Sequence, residues 1–208
     1  HITNLASVPG IIFVNKNFPH QDYKSFVAAL KANPGKYSYA SSGAGGVGHL
    51  AMELFLVETG TDAQHIAYKG AGPAVTDVLA GNVPIMWDNL SSSLAQIKAG
   101  NFIPIGLAFP KRVPQLPNVP TFAELGLKGY EADTWFGLVG PANMPKDVVK
   151  KIYDAAILAL KDPETVKTLD NNSAFALGNT PEQFTEQIKR EVAKWKRVVE
   201  AKKISLDL

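Results

Sequence analysis

Residues 37–49, Tyr-Ser-Tyr-Ala-Ser-Ser-Gly-Ala-Gly-Gly-Val-Gly-His, place the hydroxyls of Ser41 and Ser42 and four glycines ahead of an apolar run from Leu50 to Val57. Glycines let backbone N–H groups come close to a ligand. A turn that opens into a helix presents free N–H donors and the positive end of the helix dipole, which together suit an anion. The turn lacks the lysine of a phosphate-binding P-loop, so a carboxylate, held directly or through water, fits it better than a phosphate. The candidate ligand-binding residues here are Ser41, Ser42, Gly43, Ala44, Gly45, Gly46 and His49. Tight strand–helix packing is the competing explanation of the glycines. His49 has two open roles, a ligand contact or a cap of its own turn.

Two more stretches repeat this layout. His65 to Pro73 carries Lys69 and Gly70 in its turn and runs into Ala74 to Leu79. Val83 to Ser93 carries Asp88 and Asn89, then a serine run, and leads into Leu94 to Ala99. Lys69 faces the same crevice in one reading and is an exposed surface lysine in the other. Asp88 either caps the following helix or meets the ligand. Trp135 walls a pocket or packs in a core. If each turn lies at the carboxyl end of a strand, three helix N-termini gather around one crevice.

Gly43 to Gly48 also fits G-x-G-x-x-G, with Asp62 about twenty residues beyond Gly43, the pattern of a dinucleotide site. In that fold the acid ends the second strand, whereas here Asp62 precedes the strand and Tyr68-Lys69-Gly70 follow it. A nucleotide-dependent enzyme is therefore the second reading, and a truncated fragment with no binding activity is the third. His20 and His65 have no metal spacing with other ligands, and no nucleophile motif or Ser–His–Asp spacing occurs. No metal and no cofactor is expected.

The elements that must position these residues follow from periodicity. Leu5 to Val14 reads as extended with a break at Pro9-Gly10. Asp22 to Leu30 is an amphipathic helix stopped by Asn33-Pro34-Gly35. Tyr37 to Ala40 and Phe102 to Phe109 are strands. Pro110 to Pro120 holds four prolines and reads as a stiff loop. Thr121 to Leu125 reads as a short helix and Trp135 to Val139 as a strand. Helices are expected over Lys146 to Leu160, after Asp162-Pro163, and over Glu182 to Ala201 with Pro181 at the first position. The strand–helix alternation stops near residue 130, and the remainder shows one convincing strand.

The chain has 208 residues, 46% hydrophobic and 19% charged, with a formal net charge of +2 and no cysteine. Interspersed charge gives no case for nucleic acid. The basic residues near the C-terminus interleave with Glu186, Glu191 and Glu200, as on a solvated helix face. Disulfides and thiolate metal sites are excluded, and no apolar run reaches membrane-spanning length. The opening Ile2-Thr-Asn-Leu-Ala reads like the interior of a protein, so any targeting segment lies outside it.

Taken together, several signposts resemble the periplasmic solute-binding receptors of the tripartite tricarboxylate transporter family, also called Bug receptors. They are Ala32-Asn-Pro-Gly-Lys36, Tyr39-Ala-Ser-Ser-Gly43 with His49, Tyr68-Lys-Gly70, Asp88-Asn89, Ile97-Lys-Ala-Gly100, Asn118-Val-Pro-Thr121 with Glu124 and Gly126, and Trp135-Phe136-Gly137. The resemblance implies an α/β, type II periplasmic-binding-protein-like (Venus flytrap) fold. It implies a non-enzymatic receptor that closes on a small organic carboxylate or dicarboxylate and serves a membrane permease. The glycine-rich turn then corresponds to the carboxylate loop of the second domain. Against the family pattern, roughly the first third is absent. The resulting expectation is a hinge-crossing segment at 1–9, a complete ligand-binding domain 2 at 10–130, and the C-terminal part of domain 1 at 131–208. It also predicts exposed apolar surface on the incomplete domain, and self-association as one way to cover it.

Overall fold

The computed structural model describes residues 1–205. The last three residues of the expected 131–208 segment lie outside the described residues. The chain divides into two compact units, one formed by residues 1–8 and 134–196, the other by 9–133 and the segment from Arg197 on.

The larger unit is built on a five-stranded sheet. In chain order its elements are β2 (Gly10–Asn15), α1 (Tyr23–Ala32), β3 (Ser38–Ser41), α2 (Val47–Thr59), β4 (Gln64–Ala67), α3 (Ala71–Ala80), β5 (Ile85–Asn89), α4 (Leu90–Lys98) and β6 (Phe102–Ala108). The strand order is β4-β3-β5-β2-β6. β3 runs parallel to both β4 and β5, while β2 runs antiparallel to β5 and β6. Ile11, Ile12, Phe13 and Val14 on β2 are fully buried, as a strand covered on both faces requires. Phe55, Phe122 and Tyr130 pack ring against ring with centroids 5.1–5.7 Å apart, and the Tyr130 hydroxyl donates to the Ala51 carbonyl at 2.9 Å. That anchors α2, which carries the second half of the glycine-rich turn.

The smaller unit holds a three-stranded antiparallel sheet in the order β7-β1-β8. Its strands are β1 (Thr3–Val8), β7 (Thr134–Leu138) and β8 (Phe175–Ala176), and its helices are α5 (Lys146–Ala159), α6 (Pro163–Asn171) and most of α7 (Pro181–Lys202). Asn4, Asn179 and Gln187 tie β1 to α7 through hydrogen bonds of 2.7–3.0 Å. Phe184 is fully buried against Gly137, where a Cβ would come within 2.1 Å of its ring.

Three sequence expectations are corrected. Thr121 to Leu125 is a turn, not a helix. Thr121 and Glu124 do form a reciprocal capping pair, but Leu107 donates its N–H to the Pro120 carbonyl and accepts the Phe122 N–H, one on each side of Thr121, and Gly126 at φ +96° reverses the chain within five residues. The serine run 91–93 is the first turn of α4, not part of the preceding loop. Serine competes for backbone bonds in helix interiors but is accommodated at the start of a helix, where donors are free. β8 has no two-residue signal in the sequence and exists because β1 offers it an edge.

Candidate functional site

Because β3, β4 and β5 are adjacent and parallel, their carboxyl ends lie on one edge of the sheet, and α2, α3 and α4 begin there. α1 and α6 start with aspartate side chains that accept a backbone N–H. The N-caps of α2, α3 and α4 are Gly46, Gly70 and Asn89, and none makes a side-chain cap. The turns are joined as well: the Gly70 N–H donates to the Ser42 carbonyl at 3.0 Å and the Tyr68 N–H to the Ser41 carbonyl at 3.0 Å. Leu90 N–H donates to the Pro9 carbonyl at 2.9 Å, placing the break between β1 and β2 at the same edge.

The glycine-rich turn is held from beneath. Ser41 is fully buried at the end of β3. Its Oγ donates to the Gly43 carbonyl at 3.1 Å, accepts the Gly43 N–H at 3.3 Å, and lies 2.6 Å from His65 Nε2. The His65 tautomer sets which of Oγ and Nε2 donates in the 2.6 Å contact, and a ring carrying its proton on Nε2 leaves the Oγ proton to Gly43. His49 Nδ1 accepts the Gly45 N–H at 3.0 Å, which puts the His49 proton on Nε2. The ring therefore caps its own turn. Gly43, Gly45 and Gly46 have their N–H groups occupied within the turn. The N–H groups of Ala44, Val47 and Gly48 have no partner among the described residues. Gly43 at φ +158° and Gly45 at φ +72° give the backbone the path that turns it. Gly48 sits where a Cβ would meet Trp87 at 3.3 Å and Ser41 at 3.6 Å, so its absence lets α2 close on the sheet.

The two histidines stack, with centroids 3.7 Å apart and planes at 8°. Tyr39 lies against His65 and its hydroxyl donates to Glu53 Oε1 at 2.6 Å. Burial pushes both imidazoles below their ordinary value, His65 to about 4, with the neighbouring His49 as the second cause. Both rings are neutral at pH 7. Sequence spacing gave His65 no role; only the parallel register Tyr39↔His65 brings it under the turn.

Asp88 is the penultimate residue of β5, with its side chain on the sheet face opposite Trp87. It does not cap α4. It is 4% exposed, its Oδ2 has no hydrogen-bond partner, and burial pushes its carboxyl up to about 7. Asn89 is the N-cap position of α4 and makes no side-chain cap. Lys69 is exposed in the second turn, next to Tyr68, whose hydroxyl donates to Asp77 of α3. Trp135 belongs to the smaller unit, on β7, half-buried and edge-on to Phe184 at 5.6 Å. The structure thus brings the residues from Ser41 to Asn89 to one sheet edge and leaves Trp135 in the other unit.

Asp62 precedes β4, at the opposite end of the strands from the turn, and lies 3.7 Å from Lys202. It has no reach to a nucleotide ribose at Gly43–Gly48. Among the described residues no group of three or more side chains could hold a metal.

The whole pattern matches one family over residues 1–204, the tripartite tricarboxylate transporter family receptor, TctC. The chain belongs to that family. A curated relative, a UPF0065 protein from Pseudomonas sp. strain P51, is 33% identical over 195 residues, 93% of this chain and 58% of its own length. The chain thus spans less than two thirds of that relative. Among solved structures, one described as a periplasmic transporter superposes with TM-score 0.86 at 45% identity, covering 99% of this chain and 69% of the other. R. palustris Rpa4515, solved with adipate, gives TM-score 0.85 at 29% identity over 98% and 68%. MatC from Rhodopseudomonas palustris, solved with malate, gives 0.80 at 26% over 95% and 68%. The fold is accordingly α/β and of the Bug receptor type, part of a flytrap rather than a closed barrel.

Proposed function

We propose that the chain is the carboxylate-capturing part of a periplasmic receptor that passes a small organic acid to a membrane permease. It is not an enzyme in this reading. The observation that carries it is the sheet edge with three helix N-termini lacking side-chain caps, where Ala44, Val47 and Gly48 offer free N–H groups. Such a surface favours a negative group without a fixed cation. The adipate and malate held by two relatives support a dicarboxylate as the class. Ser42 and Lys69, both exposed, and Asn89 are the side chains placed to discriminate between acids.

The test is a thermal-shift and calorimetric series with adipate, malate, a monocarboxylate, NAD and ATP. A dicarboxylate that raises the melting temperature and gives a binding isotherm supports the receptor. Stabilisation by NAD or ATP alone would overturn it in favour of a nucleotide site. Domain 2 as the complete ligand-binding lobe, from residue 10 to 130, belongs to the same proposal.

A further inference from the structure

The hydrogen bonds that shape the glycine-rich turn end on two rings from different elements. His49 comes from α2 and His65 from β4, and they lie face to face. Each holds a different point of the turn. His49 takes the Gly45 N–H, and His65 fixes Ser41 Oγ, which contacts both polar groups of Gly43. The His49 half of this arrangement requires a neutral ring, whereas a protonated His65 still has an Nε2–H to donate to Ser41 Oγ. A protonated His49 has no acceptor at Nδ1, so Gly45 loses its partner. Positive charge on one ring also opposes a second proton on a ring stacked 3.7 Å away.

We infer that His49 and His65 are positioning residues that hold the turn in its ligand-ready form, and that a proton taken up by His49 releases Gly45 from it, coupling carboxylate capture to pH. The coupling to capture rests on the reading of this turn as a carboxylate site; the holding of the turn does not.

The charged and titratable groups around the pair are few. Tyr39 on β3 stacks against His65 as a neutral phenol, its ionisation pushed up by burial and by Glu53. Glu53 on α2 favours charge on His49, but it is engaged by the Tyr39 hydroxyl and by Lys202 of α7 at 3.1 Å. Asp62 before β4 shares that lysine at 3.7 Å. Asp88 points to the other face of the sheet. Burial therefore outweighs the carboxylates, and the proton enters below the ordinary histidine value of 6.5. The rings are depressed in the folded state, so acid favours any form in which they are released. The effect is absent above the ordinary value and grows as pH falls toward the folded-state value.

The experiment is NMR of the labelled chain without ligand. The ring nitrogens of both histidines and the amides of Gly43 and Gly45 are followed through the acid range. The expected result is an Nε2–H tautomer of His49 at neutral pH and a Gly45 amide shift that tracks the His49 ring, with a midpoint below 6.5. In His65→Gln, whose side-chain amide still donates to Ser41 Oγ but does not titrate, Gly45 should continue to respond with His49, and in His49→Gln it should stop responding. A Gly45 amide that ignores the His49 ring, or one that still titrates in His49→Gln, overturns the inference. If that variant does not fold, the wild-type titration decides alone. With adipate as probe, the dissociation constant should rise about twofold at the ring midpoint and about tenfold one pH unit below it. Affinity that is flat or tighter through that midpoint overturns the coupling. Failure of adipate to bind at any pH counts against the carboxylate reading instead, and the amide titration still decides whether the pair holds the turn.

Discussion

His49 does in this structure what an aspartate or serine cap does elsewhere, but from inside the helix it serves. Its ring closes on Gly45, four residues back, and is itself buried against His65. Replacing His49 by alanine removes the acceptor and leaves a cavity beside His65. We expect a loss of about 1–3 kcal/mol in urea unfolding, with faster hydrogen exchange at Gly45. An exchange rate unchanged from wild type would show that the turn stands without the ring. Asp88 is the opposite case, a group that lowers stability where it stands. Its carboxyl is raised from 3.8 to about 7, so between those values the folded protein keeps a proton the unfolded chain has lost. Stability therefore falls as pH rises through that window, and the full cost is present above it. Asp88→Asn should be more stable than wild type at pH above the raised value, by up to about 4 kcal/mol, and equal to it in acid. Denaturant curves at both ends check this; parallel pH slopes would mean that Asp88 stays ionised in the fold.

The strands set the site by direction more than by composition. β3, β4 and β5 run parallel, so three turns share an edge, and β2 runs against them, so its first residue arrives at that same edge. Gly10 is that residue, and a Cβ there would lie 2.1 Å from Trp87 Cζ2 and 2.3 Å from the Ala132 carbonyl. The carbonyl is backbone and cannot swing away. Gly10→Ala should cost about 3 kcal/mol, read as a lowered melting temperature, and Trp87 fluorescence should shift because its ring must move. An unperturbed Trp87 would show that β2 can slide to make room. In α2 the glycine at position 48 acts similarly, letting the helix approach Trp87 and Ser41 closely enough for His49 to reach His65.

The two units differ in how completely they cover themselves. In the larger one, β2, β5 and the aromatic group around Phe55 are sealed. In the smaller one, α5 and α6 have no buried residue, and Leu158, Val192, Val139 and Phe136 are each more than half exposed. That much apolar surface favours association. The 208-residue chain should sediment with a concentration-dependent mass, and Leu158→Lys should reduce it. A single monomeric species at all concentrations would remove self-association from the partners of this chain.

The local signals carried far. Helix starts at Asp22, Asp162 and Thr180–Pro181, the break at Pro9-Gly10, and the order of strand, glycine turn and helix were all readable because caps, proline and periodicity act over a few neighbours. The family was readable because many short signposts recur in one order. What stayed hidden depends on partners distant in sequence. β8 is a strand only beside β1. Thr121 has the capping chemistry of a helix but is claimed by Leu107. Ser91 to Ser93 look like loop and are helix because β5 delivers the chain directly into α4. His65 lacked any motif, yet the β3–β4 register sets it against His49 and Ser41, where burial keeps it neutral. Asp88 looked like a cap and is a buried, half-unpartnered acid. The sequence alone determined that this chain offers backbone donors at glycine turns. Only the tertiary structure decided which of those donors are free, because Ser41 Oγ and His49 Nδ1 accept from some of them and leave others without a partner among the described residues.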